Sequence, residues 1–97
     1  MDKIEFSDLI DKTLLIGLTY YTADNEFIEQ KQYWGTVIES NETRILVQLN
    51  NGEIFGLPGD LSSTEIAPPG EYRLHSTGEI VVDPDYLTTW NIYKPKT

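Results

Sequence analysis

Two short segments of the chain each combine a tight-turn signal with a neighbouring run of alternating apolar residues. They are Asn50-Asn51-Gly52-Glu53-Ile54 and Ser76-Thr77-Gly78-Glu79-Ile80. Glycine at the end of such a turn takes the left-handed conformation at little cost, and alternation of apolar and polar residues is typical of half-buried strands. The sequence therefore predicts a small β domain built from antiparallel hairpins.

The register of the first hairpin depends on which turn joins its strands. A loop at 50–52 pairs Val47 with Phe55 and Ile45 with Leu57, which places four apolar side chains on one face. A two-residue loop would break up this apolar face. We therefore predict the longer loop, with glycine at its left-handed position.

The same turn rule applied to the second hairpin predicts a loop at 76–78. In that register Tyr72 lies opposite Val82 and Leu74 lies opposite Ile80. The even-numbered residues of this hairpin would then face the core.

Alternation and turn residues divide the whole chain into short strands. We expect one β domain over residues 1–97, with a short N-terminal helix or turn, an irregular loop at 58–70, and strands at 13–22, 27–40, 43–49, 53–57, 71–75, 79–83 and 86–93. The strand at 27–40 is long enough to bend, and Gly35 is the expected bend. The predicted fold class is all-β, as a small, strongly twisted antiparallel barrel (SH3-like), with a β-sandwich as the alternative.

The charge of the chain restricts its partners. The chain has sixteen Asp and Glu residues against seven Lys and Arg, and Arg73 is the only Lys or Arg between Ile45 and Tyr93. Because nucleic-acid binding rests mainly on Lys and Arg at phosphates, the charge disfavours DNA, RNA and anionic membranes as partners. It favours a basic protein, although the same charge also serves solubility.

Signals for catalysis, cofactors and cellular location are few. The chain has no cysteine, and its N-terminus lacks the basic and apolar regions of a signal peptide, so we expect a cytoplasmic protein. The apolar stretch from Leu14 to Leu18 is too short for a membrane helix. No phosphate-binding glycine loop occurs in the sequence. Neighbouring residues of a strand point to opposite faces, so His75 cannot take the proton of Ser76. We therefore expect no enzyme, no catalytic residue and no cofactor.

Aromatic residues are the stronger candidates for a binding surface. Tyr33 and Trp34 are neighbours on one predicted strand, as are Tyr20 and Tyr21, so one member of each pair must point away from the core. Asp83 and Asp85 flank a proline turn, which suits backbone capping better than a complete Ca²⁺ site. The predicted binding residues are Tyr21, Tyr33, Trp34, Tyr72, Asp83, Asp85, Tyr86 and Trp90, and no metal site is predicted.

Four segments within residues 57–90 form a distinctive pattern. They are Leu57-Pro58-Gly59-Asp60-Leu61, Ala67-Pro68-Pro69-Gly70-Glu71-Tyr72-Arg73-Leu74, Ser76-Thr77-Gly78-Glu79 and Asp83-Pro84-Asp85-Tyr86-Leu87-Thr88-Thr89-Trp90. This pattern resembles a family of small uncharacterised bacterial proteins. It implies a bacterial, intracellular, stand-alone domain and transfers no catalytic residue.

Three functional hypotheses follow from these observations. The first is a non-enzymatic protein-interaction domain with an acidic surface for a cationic protein partner, in its narrower form an immunity-type inhibitor of a basic toxin or nuclease. The second is a small-molecule-binding or enzymatic domain that uses the loop 58–70 together with Tyr72, His75 and Trp90. The third is an oligomer in which the aromatic surface is the subunit contact.

Overall fold

A computed structural model describes residues 3–75 and 77–95 of the chain. The described elements are a short 3₁₀ helix, Phe6–Leu9, followed by β1 Thr13–Tyr21, β2 Phe27–Ser40, β3 Arg44–Leu49, β4 Ile54–Pro58, β5 Thr64–Ile66, β6 Glu71–Arg73, β7 Ile80–Val82 and β8 Tyr86–Tyr93. The prediction of a mostly β chain is confirmed. No helix among the described residues is long and apolar enough to cross a membrane.

Six strands form one sheet in the order β4-β3-β2-β1-β8-β5, and β6 pairs with β7 in a second, smaller sheet. Strands β1 and β8 run parallel, which corrects the prediction of a purely antiparallel sheet. The long connection between these two strands gives the chain room to return in the same direction, which a tight turn cannot do. No pairing joins β4 to β5 in the part of the chain that the structure describes, so closure into a barrel is not observed.

The larger sheet packs its main core on one face, which we call the inner face. Leu14, Ile16 and Leu18 of β1 lie there, and Leu57 of β4 and Leu9 of the 3₁₀ helix join the same buried cluster. Because residues of an edge strand and of the central strand meet in one cluster, the sheet curls around this core. The alternation predicted for β1 is what places these side chains together.

The opposite, outer face of the sheet carries a second and smaller cluster. Leu15 of β1 packs against Leu74 and Val81, with Trp34 and Leu87 at its margin. The hairpin of β6 and β7 therefore covers one end of the outer face and leaves the other end open. β1 is consequently apolar on both sides near its start, where the sheet is covered twice.

The predicted register of the first hairpin is confirmed. Val47 lies opposite Phe55 and Ile45 lies opposite Leu57. The N–H of Leu49 donates to the carbonyl of Glu53 across the turn (N···O 2.8 Å), and Gly52 has a φ of 92°. The glycine is thus at the left-handed position, as the turn rule predicts.

The predicted register of the second hairpin is wrong by one residue. Tyr72 lies opposite Val81, and the N–H of Leu74 donates to the carbonyl of Glu79 (2.8 Å). The loop is therefore one residue longer than predicted, and Val81 is the buried residue of β7, whereas Ile80 is 49% exposed and Val82 is 61% exposed. Gly78 still takes the left-handed conformation, with a φ of 78°. Glycine at the end of a turn marks where the returning strand begins, but it leaves the turn's length open. Ser76, part of the predicted loop, lies outside the described residues.

The segment 58–70 contains a strand that the sequence did not predict. β5 pairs with β8 through Thr64 opposite Thr88, and it is only three residues long. A strand of three residues is too short to show an alternating pattern in the sequence. Its pairing depends on β8, which is distant in sequence.

Candidate functional site

The structure distributes the predicted binding residues over separate surfaces. Three half-buried side chains belong to the inner core: Tyr33, Tyr86 and Trp90. Trp34 and Tyr72 pack at the margin of the outer cluster. Since the two groups lie on opposite faces of one sheet, no single binding surface contains all eight residues.

Three of the predicted aromatics are held by specific contacts. The indole N–H of Trp34 donates to a carboxylate oxygen of Glu79 (3.2 Å), and the hydroxyl of Tyr72 donates to the carbonyl of Pro68 (2.6 Å). The ring of Tyr33 stacks on Phe55 with a centroid separation of 5.3 Å. These contacts give the three side chains a packing role.

The predicted acidic residues cap backbone groups. The carboxylate of Asp83 accepts the N–H of Gly70 (2.8 Å), and that of Asp85 accepts the N–H of Thr13 (2.9 Å). These hydrogen bonds join the ends of the small hairpin and of β1 to the segment before β8. No group of three or more side chains suited to a metal ion occurs in residues 3–75 and 77–95.

The side chains of the small-molecule hypothesis do not line one cavity. Tyr72 lies on the outer side of the sheet, Trp90 lies in the inner core, and His75 is exposed at the hairpin turn. The backbone N–H of His75 donates to the side-chain oxygen of Gln32 (2.5 Å). The hydroxyl of Ser76, which the sequence placed beside this histidine, is outside the described part of the chain.

A groove lies between the N-terminal segment and the connection from β4 to β5. Its volume is about 930 Å³, and we call it the acidic groove. It is lined by Lys3, Ile4, Glu5, Phe6, Ser7, Glu42, Gly59, Asp60, Leu61, Ser62 and Thr64. None of the predicted binding residues lies there, although the predicted loop 58–70 supplies one wall.

The acidic groove combines an apolar base with carboxylates. Ile4, Phe6 and Leu61 are half-buried and pack against the inner core. Glu42 and Asp60 are exposed at the rim, as is Glu5, and Lys3 is the one cation among the lining residues. A ligand with an apolar portion and a positive charge matches this chemistry.

Gly59 sets the spacing of the rim. A Cβ at this position would lie 2.3 Å from the carbonyl oxygen of Glu42 and 2.5 Å from that of Asn41. The turn after β4 thus approaches the β2–β3 turn more closely than any residue with a side chain permits. This contact brings the carboxylates of Asp60 and Glu42 to the same rim.

The carboxylate of Asp60 is held in position and ionised. It accepts the backbone N–H of Ser62 (2.8 Å), and this hydrogen bond, with a further one from the Ser62 hydroxyl, lowers the pKa of Asp60. A carboxylate that accepts such bonds is stabilised in its charged form. Asp60 therefore presents a fixed negative charge to a ligand.

A smaller groove lies between β2 and the two hairpin turns. It has a volume of about 440 Å³, and Tyr33, Trp34 and Glu79 are among its lining residues. Glu79 is half-buried, and its carboxylate accepts the side-chain N–H of Asn50 (2.9 Å) as well as that of Trp34. Because these donors already occupy the carboxylate, we assign Glu79 to joining the two turns.

An aromatic cluster occupies the open end of the outer face. The ring of Tyr21 stacks on Tyr93 at 5.2 Å and meets Phe27 edge-on at 6.4 Å. Phe27 is 64% exposed and Tyr93 is 54% exposed. On the inner side of the same end, Lys31 and Lys94 lie within 6 Å of the ring of Tyr20. Tyr21 itself is half-buried between Phe27 and Tyr93, two exposed aromatics that the sequence did not single out.

Among residues 3–75 and 77–95, few of the negative charges form ion pairs. Between described residues two ion pairs form, Lys31 with Glu29 (3.7 Å) and Arg44 with Glu39 (2.6 Å). The hydrogen bond from Arg44 lowers the pKa of Glu39, and Glu39 in turn raises the pKa of Arg44. Both pairs lie outside the rim formed by Glu5, Glu42 and Asp60.

Comparison of the chain with protein-family models, with curated proteins and with solved structures gives no match.

Proposed function

We propose that the chain is a non-enzymatic protein-interaction domain whose acidic groove binds a cationic segment of a partner protein. The observation that carries the proposal is the groove itself, in which Glu5, Glu42 and Asp60 surround the apolar side chains Ile4, Phe6 and Leu61. Lys and Arg have apolar stems and charged heads, so one such side chain satisfies both parts of the groove.

The electrostatics of the whole chain support the same class of partner. The formal net charge is −9, which attracts a basic protein at long range and raises its rate of encounter. The rim carboxylates are exposed, so their charge is available to a ligand.

A peptide titration tests the proposal. We expect an acetylated peptide that alternates Arg and Leu to bind and to shift the amide resonances of residues 3–7, 42 and 59–64. The same peptide with Glu in place of Arg should not bind. Because opposite charges are screened by salt, affinity for the Arg peptide should fall by roughly tenfold between 50 and 500 mM NaCl.

Matched variants separate the groove from the general charge. Asp60→Asn keeps an oxygen for the Ser62 N–H but removes the negative charge, and we expect about three- to tenfold weaker binding from it or from Glu42→Gln. Glu53→Gln changes the net charge equally at the exposed first hairpin and should leave affinity unchanged. Equal effects of all three substitutions would show that binding is nonspecific and would contradict the groove assignment.

An immunity-type inhibitor of a basic toxin or nuclease is the narrower form of the same proposal. The charge complementarity that supports a cationic peptide also supports a basic enzyme as the ligand. An SH3-like barrel and a cytoplasmic location likewise remain predictions from the sequence.

A further inference from the structure

Strand β8 is covered unequally by its two neighbours. β1 pairs with it from Tyr86 to Tyr93, whereas β5 pairs with it only from Tyr86 to Thr88. The chain before β5 turns away toward Leu61, which packs in the inner core. From Thr89 to Tyr93, β8 is therefore an edge with no strand beside it in the described part of the chain.

The direction of the backbone groups on this edge follows from the pairing with β1. The N–H of Lys94 donates to the carbonyl of Tyr21 on β1 (2.8 Å). Because N–H and C=O of one residue point to the same side and neighbouring residues alternate, Thr89, Asn91 and Tyr93 point away from β1. The pairing of Thr64 with Thr88 places Ser63 beside Thr89, whereas no described strand lies beside Asn91 and Tyr93.

The open edge lacks the usual protection of edge strands. Natural edges carry charges, prolines or bulges that prevent pairing with another chain. The segment 89–93 reads Thr-Trp-Asn-Ile-Tyr and has no charge and no proline, in a chain with sixteen acidic residues. Two molecules that both carry a net charge of −9 meet least repulsion at such a segment.

We propose that this edge pairs with the same edge of a second copy of the chain, antiparallel about a twofold axis at Asn91. In this register Thr89 lies opposite Tyr93 of the second copy, and Trp90 lies opposite Ile92. Pairs of β-branched and aromatic side chains are favourable across antiparallel strands, and a twofold axis makes each contact occur twice. The proposal goes beyond the proposed function and does not depend on it.

Charge complementarity favours a second copy as the occupant. In this register Lys94, which follows Tyr93, comes beside Thr88 of the other copy. That Thr88 is already paired with Thr64 of its own chain. Pro95 then ends the strand. Thr64 lines the acidic groove together with Asp60, and Lys94 lies over the inner-face ring of Tyr20, so both project from the inner face. The ammonium group of each Lys94 therefore reaches the carboxylate rim of the other copy.

Sedimentation velocity of the full chain tests the association. At 150 mM NaCl we expect a reversible dimer with a Kd of roughly 10–100 µM, because one short strand pair is a small interface. In amide exchange, Asn91 and Tyr93 should become protected as concentration rises. Trp90 and Ile92 should not change, since β1 already binds their N–H groups. A monomer at every concentration up to about 1 mM, or a dimer without this alternation, would overturn the proposal.

Substitutions at the axis provide the matched control. Asn91→Lys places two ammonium groups together at the axis and should weaken the dimer at least tenfold. Gln30→Lys adds the same charge on the outer face away from the edge and should not. Asn91→Pro removes an N–H that points outward, at an edge position where proline is tolerated, and should also abolish dimerisation in a chain that stays folded by circular dichroism. A dimer that survives both Asn91 variants contradicts the assigned edge.

A double-mutant cycle tests the choice of occupant. Lys94→Gln and Asp60→Asn should each weaken the dimer about threefold, and the double variant should weaken it no further if the two side chains meet. Additive effects would overturn this contact. Asn91→Lys should retain binding of the Arg peptide at low protein concentration, so failure of the dimer and failure of the groove are observed separately.

Discussion

At the residue scale, two glycines mark places where backbone segments touch. A Cβ on Gly35 would lie 2.2 Å from the carbonyl oxygen of Gln48 on β3, so β2 approaches β3 more closely than a side chain allows. Gly59 plays the same part at the acidic groove. The bend predicted at Gly35 stays a prediction, because Gly35 pairs regularly with both neighbouring strands and the irregularity of β2 lies between Val37 and Glu39.

Replacing Gly35 therefore tests the close approach of β2 and β3. We expect Gly35→Ala to lower the free energy of unfolding by about 3 kcal/mol or more, because the backbone on both strands must move. Gly56→Ala is the control, since its Cβ would meet a methyl group of Leu46 at an ordinary 3.5 Å. Its effect should stay within about 0.5 kcal/mol in urea denaturation. Equal effects of the two substitutions would contradict the packing at Gly35.

The lowered pKa of Asp60 predicts a dependence of stability on pH. Its ionised form is favoured in the folded state by the hydrogen bonds from Ser62. The stabilisation is therefore present above the unfolded pKa of about 3.9 and is lost as the pH falls through the lower folded pKa. Asp60→Asn should be less stable than the parent chain at neutral pH and should approach it at about pH 2. NMR titration of the Asp60 carboxyl gives the pKa directly, and an ordinary value would contradict the assignment.

At the element scale, the small hairpin of β6 and β7 shows how one loop residue decides which side chains are buried. Leu74 and Val81 meet Leu15 of β1, while Ile80 faces solvent. A register shifted by one residue would exchange the roles of Ile80 and Val81. The turn glycine is present in either case.

Replacing Val81 and Ile80 by alanine, one at a time, tests the register of this hairpin. Val81→Ala should cost roughly 1.5–3 kcal/mol of unfolding free energy, because it opens a cavity in the outer cluster. Ile80→Ala removes more carbon but should cost only about 0.5 kcal/mol, since this side chain is exposed. Chemical denaturation of the two variants in parallel decides between the registers, and a larger loss at Ile80 would support the shorter loop.

At the scale of the whole molecule, the chain has a formal net charge of −9, and the part that the structure describes contains two ion pairs. Repulsion among surface carboxylates opposes the compact state and is screened by salt. The same charge directs the molecule toward basic partners. Stability and recognition are therefore coupled through ionic strength.

This coupling predicts that salt stabilises the free protein. Raising NaCl from about 10 to 500 mM should add about 1 kcal/mol to stability, which is roughly 4–8 °C in Tm for a domain of this size. A variant with Glu65→Gln and Glu71→Gln has less repulsion between carboxylates for salt to screen, so its stability should rise less. Differential scanning calorimetry measures both chains, and a Tm that falls with salt would show that attractive ion pairs dominate.

The acidic groove was not predictable as a site, because its carboxylates come from segments far apart in sequence. Glu5 precedes the 3₁₀ helix, Glu42 lies between β2 and β3, and Asp60 follows β4. The loop 58–70 was a candidate functional segment, and its turn residues Pro58, Gly59 and Asp60 were the available signal. The predicted aromatics were chosen by the rule that neighbours on a strand point apart, which finds exposed side chains but not those that converge.

Local rules determined the β character of this chain, the register of its first hairpin and the alternation of β1, because each depends on residues within one turn or one strand. The parallel pairing of β1 with β8, the strand β5 and the length of the second turn were decided by tertiary structure. Each of these features is stabilised by burial against residues distant in sequence, such as Leu15 beneath Val81, and no local pattern contains that contact.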